Sequence, residues 1–434
     1  MNCWRGETDV ANKKFIFLKE VTEQIKSKEA KNVVATELGF HIQEAKNLLI
    51  EMGLPETEAE EKAIEQMGSP SKLGKQMNRL HKPKVDWFMI ILLVTTLGLG
   101  FLPLASLGYL EDTTHFAFMK SVTVLLGASA AIGIMLIDFR AWKTRGWMFY
   151  TLGVLFLLII RFLSNTMING VPLLRIPSII TLESSMVLPL FFLGWASFFS
   201  NERLKIWQFF ILFFIPLLLL LAVSNITIPF MYTVMVMGMF WWSKFSRKKM
   251  MVIGGITFCL FLIMGLVSLE RLKSYQLGRI LAFINPEKSS GGASYMILRV
   301  KELMSKAGWF GNHGNKEFIP SAHTDFVFVS LTYTYGWLFA IALFVILTLI
   351  MVRFIVISNK IHDSYAKLLL FGAVGLYGVQ LVCNVGMALG VFPQTSISLP
   401  FISYGLMPVL LNSFLIGIVM SIYRRKELLS NRFV

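Results

Sequence analysis

The stretch Thr324, Asp325 and Phe326 places a hydroxyl and a carboxylate at the head of a long apolar run. Such residues commonly cap a helix N-terminus, and a carboxylate so placed can also act as a general base. On the residues alone capping is the commoner role, and the two are compatible. Glu317 supplies a second carboxylate nearby, either solvated or part of the same chemistry. Arg279, Lys288, Arg299, Lys301, Lys306 and Lys316 gather positive charge around it. A guanidinium offers phosphate two parallel hydrogen bonds and an ammonium acts as a point charge. The same cations would also be drawn to anionic lipid headgroups. His313 and His323 could assist a divalent cation at Asp325, but their spacing matches no metal motif and reads as loop histidines. Gln380 and Asn384 lie one helical turn apart in an apolar run, so they face protein or water rather than lipid, either lining a site or only gluing helices together. Ser403 and Tyr404, just before the last apolar run, could line a cavity or satisfy the break there.

The elements that must hold these residues are membrane helices. A 434-residue chain that is 55% hydrophobic and 15% charged carries more apolar side chains than one water-soluble core can hide. Its net charge of +15 lies in short clusters between apolar runs, not in one patch, so it reads as membrane topology and not as nucleic-acid binding. Cys3, Cys259 and Cys383 are scattered and suit packing. About 20 apolar residues cross roughly 30 Å of hydrocarbon. About ten runs qualify, near 85–107, 114–137, 146–164, 179–200, 205–223, 226–243, 249–269, 325–352, 366–390 and 402–423. The Lys and Arg bias of the short loops puts both termini on the cytoplasmic side. One outer connection, 270–324, is far longer than the rest and is the candidate active region. Its glycines and Pro286 imply turns around a short surface helix carrying Met296, Val300 and Leu303. Among ionisable groups inside the spans, Lys120 is the main exception to their general scarcity.

Residues 1–83 read as a separate soluble helical bundle, with no apolar leader and no nucleophile, metal cluster or phosphate loop. Leu18, Val21 and Ile25 share a helix face, as do Leu38, Ile42, Ala45 and Leu49, ending at Gly53. Thr57 and Glu60 predict a capping box, and Ser69 with Pro70 the start of a fourth helix. The stretch EKAIEQMGSPSKLGKQM at 61–77 is similar to prefix domains that precede some bacterial permeases, which implies a regulatory or docking attachment.

Three ordered motifs in the last third carry a stronger resemblance. Tyr275, Arg279 and Pro286 come first, followed by IPSAHTDFVF at 319–328 with Pro320, Thr324, Asp325 and Phe326. Gln380, Asn384, Gly386, Gly390 and Pro393 then precede LPFISYG at 399–405. In these the chain resembles the shape, elongation, division and sporulation family. It departs from that pattern where the family has a Glu pair, here Tyr333 and Thr334 ahead of Gly336. It departs again at Ser294, Tyr295 and Met296, at Gly405, Leu406, Met407 and Pro408, and in the fourth span at Glu183, Ser184, Ser185, Met186 and Pro189.

The resemblance implies an all-α polytopic membrane protein, with domain 84–434 following the prefix, in a bacterial cytoplasmic membrane. It implies a peptidoglycan glycosyltransferase that polymerises lipid II onto an undecaprenyl-linked glycan, with a class B penicillin-binding protein as partner. Such chemistry needs a base, a cationic site for the departing diphosphate and an apolar groove for two polyprenyl tails. Asp325 is then the catalytic carboxylate, acting alone or with a divalent cation (Mg or Mn). Arg279, Lys316, Glu317, Thr324, Gln380, Asn384, Ser403 and Tyr404 are the expected substrate-binding residues. Two alternatives remain at this point: a transporter of a lipid-linked precursor, and a non-catalytic scaffold descended from the enzymes.

Overall fold

The computed structural model describes residues 3–106, 113–168, 171–176, 180–201, 204–223, 226–243, 245, 247–248, 250–257, 278, 281–287, 292–312, 319 and 321–426. They form two compact units, one of residues 1–85 with 423–434, the other of residues 86–422.

The first unit is a four-helix bundle: α1 (Cys3–Glu23), α2 (Lys28–Glu51), α3 (Glu56–Gln66) and α4 (Pro70–Leu80). Val21, Ile25, Val34, Leu38, Ile42 and Ala63 make its core, with Leu18, Ala45 and Leu49 packed against it. The spacing of apolar residues on α1 and α2 dictates that core, because positions three and four apart share a face. α2 ends before Gly53, whose φ of +92° reverses the chain where a Cβ would be strained. Ser69 is the N-cap of α4 with Pro70 in its first turn. The expected capping box does not form. Pro55 occupies the N-cap of α3 with no side-chain hydrogen bond, and Glu60 instead meets Lys46 at 2.7 Å beside Glu56 at 2.9 Å. The C-terminal residues complete the unit, since Arg425, only 2% exposed, grips Glu29 with two hydrogen bonds of 2.6 and 2.7 Å.

The second unit is a polytopic helical membrane domain. Seven described helices are long and apolar enough to cross a membrane, and two shorter apolar helices accompany them. The first crossing is broken into α5 (Trp87–Leu99) and α6 (Leu102–Ser106), followed by α7 (Thr113–Leu136) and α8 (Gly146–Leu163). Then come α9 (Leu188–Ser200), α10 (Ile206–Val223) and α11 (Thr227–Trp241). Of the expected 249–269 span, only 250–257 is described, as helix. α12 (Gly292–Lys306) is the expected surface helix of the long connection, burying Val300 and Leu303. α13 (Val327–Tyr335), α14 (Trp337–Asn359), α15 (Ser364–Ala388) and α16 (Leu406–Arg424) close the order.

Two expectations change here. The fourth span begins late: β1 (Thr166–Ile168), β2 (Val171–Ile176) and β3 (Ile180–Leu182) form an antiparallel meander, and α9 starts only at Leu188. Pro189 suits a helix's first turn, and the β-branched residues before it favour strand. The 325–352 run is likewise two helices, parted at Gly336 (φ +89°). A Cβ there would overlap the Trp309 carbonyl, and one on Gly311 (φ +86°) would overlap that of Thr334. Trp337 N donates to Gly308 O at 3.0 Å, Leu338 N to Trp309 O at 3.2 Å and Asn312 N to Tyr333 O at 2.9 Å, so the loop after α12 is stitched to the break by its backbone.

Two polar ties bind one rim of this unit. Asp86 caps α5 through Met89 N and takes Arg353 Nε of α14 at 2.8 Å, and Ser421 Oγ of α16 donates to Ile137 O at 2.7 Å. Thr324 and Asp325 precede α13, and the 399–405 loop precedes α16, at the end of that helix opposite Ser421.

Candidate functional site

Asp325 is half-buried in a turn of residues 321–326, immediately before α13. Ser321 sits at φ +49° and accepts from the amides of Thr324 (3.0 Å) and Phe326 (3.2 Å), which makes the turn tight. The N-cap of α13 is Phe326, without a side-chain cap hydrogen bond, and Thr324 Oγ1 faces Ser321 O at 3.4 Å. The hydroxyl is therefore used inside the turn, not on the helix end.

Three consecutive carbonyls of this turn are held by donors from outside it. His323 O accepts from Tyr404 N at 2.7 Å. Thr324 O accepts from Ser403 Oγ at 2.7 Å. Asp325 O accepts from Asn384 Nδ2 at 2.9 Å, and that nitrogen also donates to Ile397 O at 2.7 Å. Ser403 Oγ in turn takes Leu399 N at 2.8 Å. Asn384, Ser403 and Tyr404 are thus brought to the turn, each donating to a different backbone carbonyl, and only Asn384 bonds Asp325 itself. Asn384 and Ser403 are fully buried, and such bonds in a low-dielectric interior fix geometry because breaking them strands a polar group. Asn384 Oδ1 is buried without a partner.

Side chains above the turn are aromatic. His323, Tyr404 and Phe116 of α7 meet edge-on, with centroids 5.3 to 5.8 Å apart. Burial lowers the His323 imidazole below its ordinary 6.5, because the charged form loses hydration, and raises the Tyr404 phenol.

Gln380 goes elsewhere. Its amide exchanges reciprocal hydrogen bonds with Asn412 of α16, at 2.9 and 3.3 Å, which ties α15 to α16. Arg279, Lys316, Glu317 and His313 lie outside the described residues. On α12, Arg299 and Lys306 both bond Glu302, at 2.7 and 2.6 Å, and they hold its carboxyl below the usual range, Lys306 most strongly. Tyr333, standing where the family has Glu, is 2% exposed, and its hydroxyl accepts from Asn312 Nδ2 at 3.3 Å. Glu183 accepts from Ser185 Oγ at 2.7 Å. Among the described residues no group of three His, Cys, Asp or Glu could hold a metal ion.

Sequence reasoning missed the partner of Gln380 and the role of Lys120. Both carried a signal, since a polar residue such as Asn412 or Lys120 inside an apolar span seeks a protein partner. Lys120 Nζ, in α7, donates to the carbonyls of Phe401, Ile402 and Ser403 at 3.1 to 3.2 Å.

These features define a multi-pass helical membrane protein with a carboxylate turn clamped by the loop before its last helix. The chain belongs to the FtsW, RodA and SpoVE family, described as "Cell cycle protein", whose pattern it matches over residues 85–428. It is 27% identical over 366 residues to the probable peptidoglycan glycosyltransferase FtsW of Coxiella burnetii, covering 79% of this chain and 97% of that one. It is 24% identical to the stage V sporulation protein E of Bacillus subtilis, covering 79% and 97% respectively. Among solved structures, a chain of a peptidoglycan synthase complex that coordinates polymerization and crosslinking superposes with a TM-score of 0.67 at 22% identity, covering 79% of this chain and 98% of that one. The RodA of Thermus thermophilus does so with 0.56 at 20%, covering 78% and 97%. These likenesses establish the shared fold.

Proposed function

We propose that the protein is a peptidoglycan glycosyltransferase that polymerises lipid II at the outer face of the cytoplasmic membrane. Asp325 accepts the proton of the acceptor sugar hydroxyl. The freed oxygen attacks the donor's anomeric carbon from the side opposite the diphosphate, with inversion. The bond to the diphosphate breaks, and undecaprenyl diphosphate leaves with the electron pair. Arg279 is assigned to the leaving charge by motif position and Lys316 by its place on the same connection, since Arg299 and Lys306 are drawn onto Glu302. Both termini are assigned to the cytoplasmic side by the Lys and Arg bias, and a class B penicillin-binding protein is the partner that would crosslink the product.

The observation that carries this reading is the turn itself. Asp325 stands in its family motif, and three successive carbonyls leading to it are held by Tyr404, Ser403 and Asn384 of the other family motif. Preorganisation of this kind is what a base must have to meet a hydroxyl at hydrogen-bond distance. The test is lipid II polymerisation by purified protein, alone and with a penicillin-binding partner whose crosslinking is blocked, comparing wild type with Asp325→Ala. Glycan chains from wild type only are expected, and polymer from the variant removes Asp325 as base. A scaffold reading has one observation in its favour: Tyr333 replaces an acidic residue of the family and is buried against Asn312. No polymer under any pairing would favour it. For a transporter, Lys120 would have to serve a path through the spans, whereas its protons are directed to three backbone carbonyls.

A further inference from the structure

Lys120 is a cation in the interior of the membrane unit, 1% exposed, and the groups that receive its protons are backbone carbonyls. Burying an ammonium is costly, and carbonyl dipoles compensate it only when several converge on it. Here three consecutive ones do. The three carbonyls belong to a turn in which Phe401 adopts φ +63°. Room for the contact comes from Gly100, at the break between α5 and α6, where a Cβ would lie 2.7 Å from Phe401 O and 3.1 Å from Lys120 Nζ. An ammonium suits the task because it has three donors and no acceptor.

The turn that Lys120 gathers is the one that grips the backbone just before Asp325. Ser403, whose carbonyl Lys120 holds, sends its hydroxyl to Thr324 O, and the next residue sends its amide to His323 O. Phe116, one helical turn before Lys120 on α7, packs edge-on against both His323 and Tyr404. We propose that Lys120 is a positioning residue for Asp325, acting through the 401–403 carbonyls to fix the loop that fixes the catalytic turn. This rests on the glycosyltransferase reading above for its consequence, but not for its geometry.

The experiment uses the full-length protein in detergent or nanodiscs, as wild type, Lys120→Met and Lys120→Gln. Amide hydrogen exchange at Ser403 and Tyr404 is measured beside kcat and KM for lipid II polymerisation. In Lys120→Met, which keeps length and loses every donor, exchange should rise about tenfold or more. Its kcat should fall about a hundredfold with KM within about twofold, the signature of a displaced base and not of lost substrate binding. Lys120→Gln keeps two donors and should recover part of both. If the methionine variant does not fold, the glutamine variant decides alone, by faster exchange at those two amides together with a lower kcat. Wild-type exchange, or faster exchange with wild-type kcat, would overturn the proposal. Faster exchange in a protein whose wild type polymerises nothing under any pairing would instead overturn the glycosyltransferase reading and leave the clamp standing.

Discussion

Asn384→Leu isolates the clamp from the chemistry, because Asn384 reaches Asp325 only through its backbone carbonyl. Leucine keeps nearly the same volume and removes the nitrogen that serves Asp325 O at 2.9 Å and Ile397 O at 2.7 Å. Each carbonyl that loses this buried donor costs about 1–3 kcal/mol. The substitution also removes Oδ1, a buried acceptor without a partner, and that returns part of the loss. A net destabilisation of about 2–4 kcal/mol follows, equivalent to a fall of at least several degrees in the thermal midpoint at about 2–4 °C per kcal/mol. Freed at one of three anchors, the turn can shift by a fraction of an ångström, and misplacement of about 1 Å costs about a hundredfold in rate. Asn384→Asp should be worse, since it turns an oxygen toward two carbonyl oxygens in a low-dielectric interior. Thermal unfolding in detergent and lipid II polymerisation read the two effects separately. A leucine variant with wild-type midpoint and wild-type turnover would refute the claim that Asn384 holds Asp325.

Asp86→Ala removes a 4% exposed carboxylate that both caps α5 and pairs with Arg353, and should cost about 3–5 kcal/mol, measured as a lower midpoint with the polymerisation rate per folded molecule unchanged. Glu29→Ala leaves Arg425 buried without its carboxylate, so limited proteolysis should cut the first unit much faster than in wild type. Gly336→Ala combines an unfavourable φ of +89° with overlap on the loop after α12, and should lower the yield of folded protein far more than Gly278→Ala, where φ is unexceptional and no atom lies within 4 Å. The His323 shift gives a pH dependence: the unfolded imidazole titrates near 6.5 and the folded one lower, so the unfolded state binds more protons in that window. Stability from the neutral ring is therefore full above about 6.5 and is lost as pH falls through the folded value; His323→Phe should flatten this acid limb in thermal melts.

Helical periodicity made the first unit legible. Val21, Ile25, Leu38 and Ile42 repeat at helical spacing, and a soluble bundle has to bury such a face. Membrane runs were legible for a different reason, because a span must be apolar along its whole length. Breaks were not. Gly336 reads as an ordinary glycine in an apolar run, and only the crossing of its backbone by Trp309 and Gly311 shows why the helix must stop there. The Thr57 and Glu60 box failed because a proline had already taken the cap and Lys46 offered Glu60 a stronger partner.

At the site, side-chain chemistry was legible and its use was not. Ser403, Tyr404 and Asn384 could be picked out as polar residues near the last two spans, and that reasoning aimed them at substrate. The structure aims a hydroxyl, an amide and a carboxamide at three successive carbonyls of residues 323–325. Backbone acceptors are the same at every position, so no sequence pattern reveals which of them a side chain will meet. The consequence is a division of labour by position in the chain. On the proposed reading the long connection supplies the carboxylate that meets the acceptor hydroxyl, and Lys120 of α7, Asn384 of α15 and Ser403 before α16 use their polar groups to hold the backbone around it. A substitution in those three elements can therefore silence the reaction without touching a reacting atom, so a fall in rate identifies a reacting group only when the structure around it is shown to be unchanged.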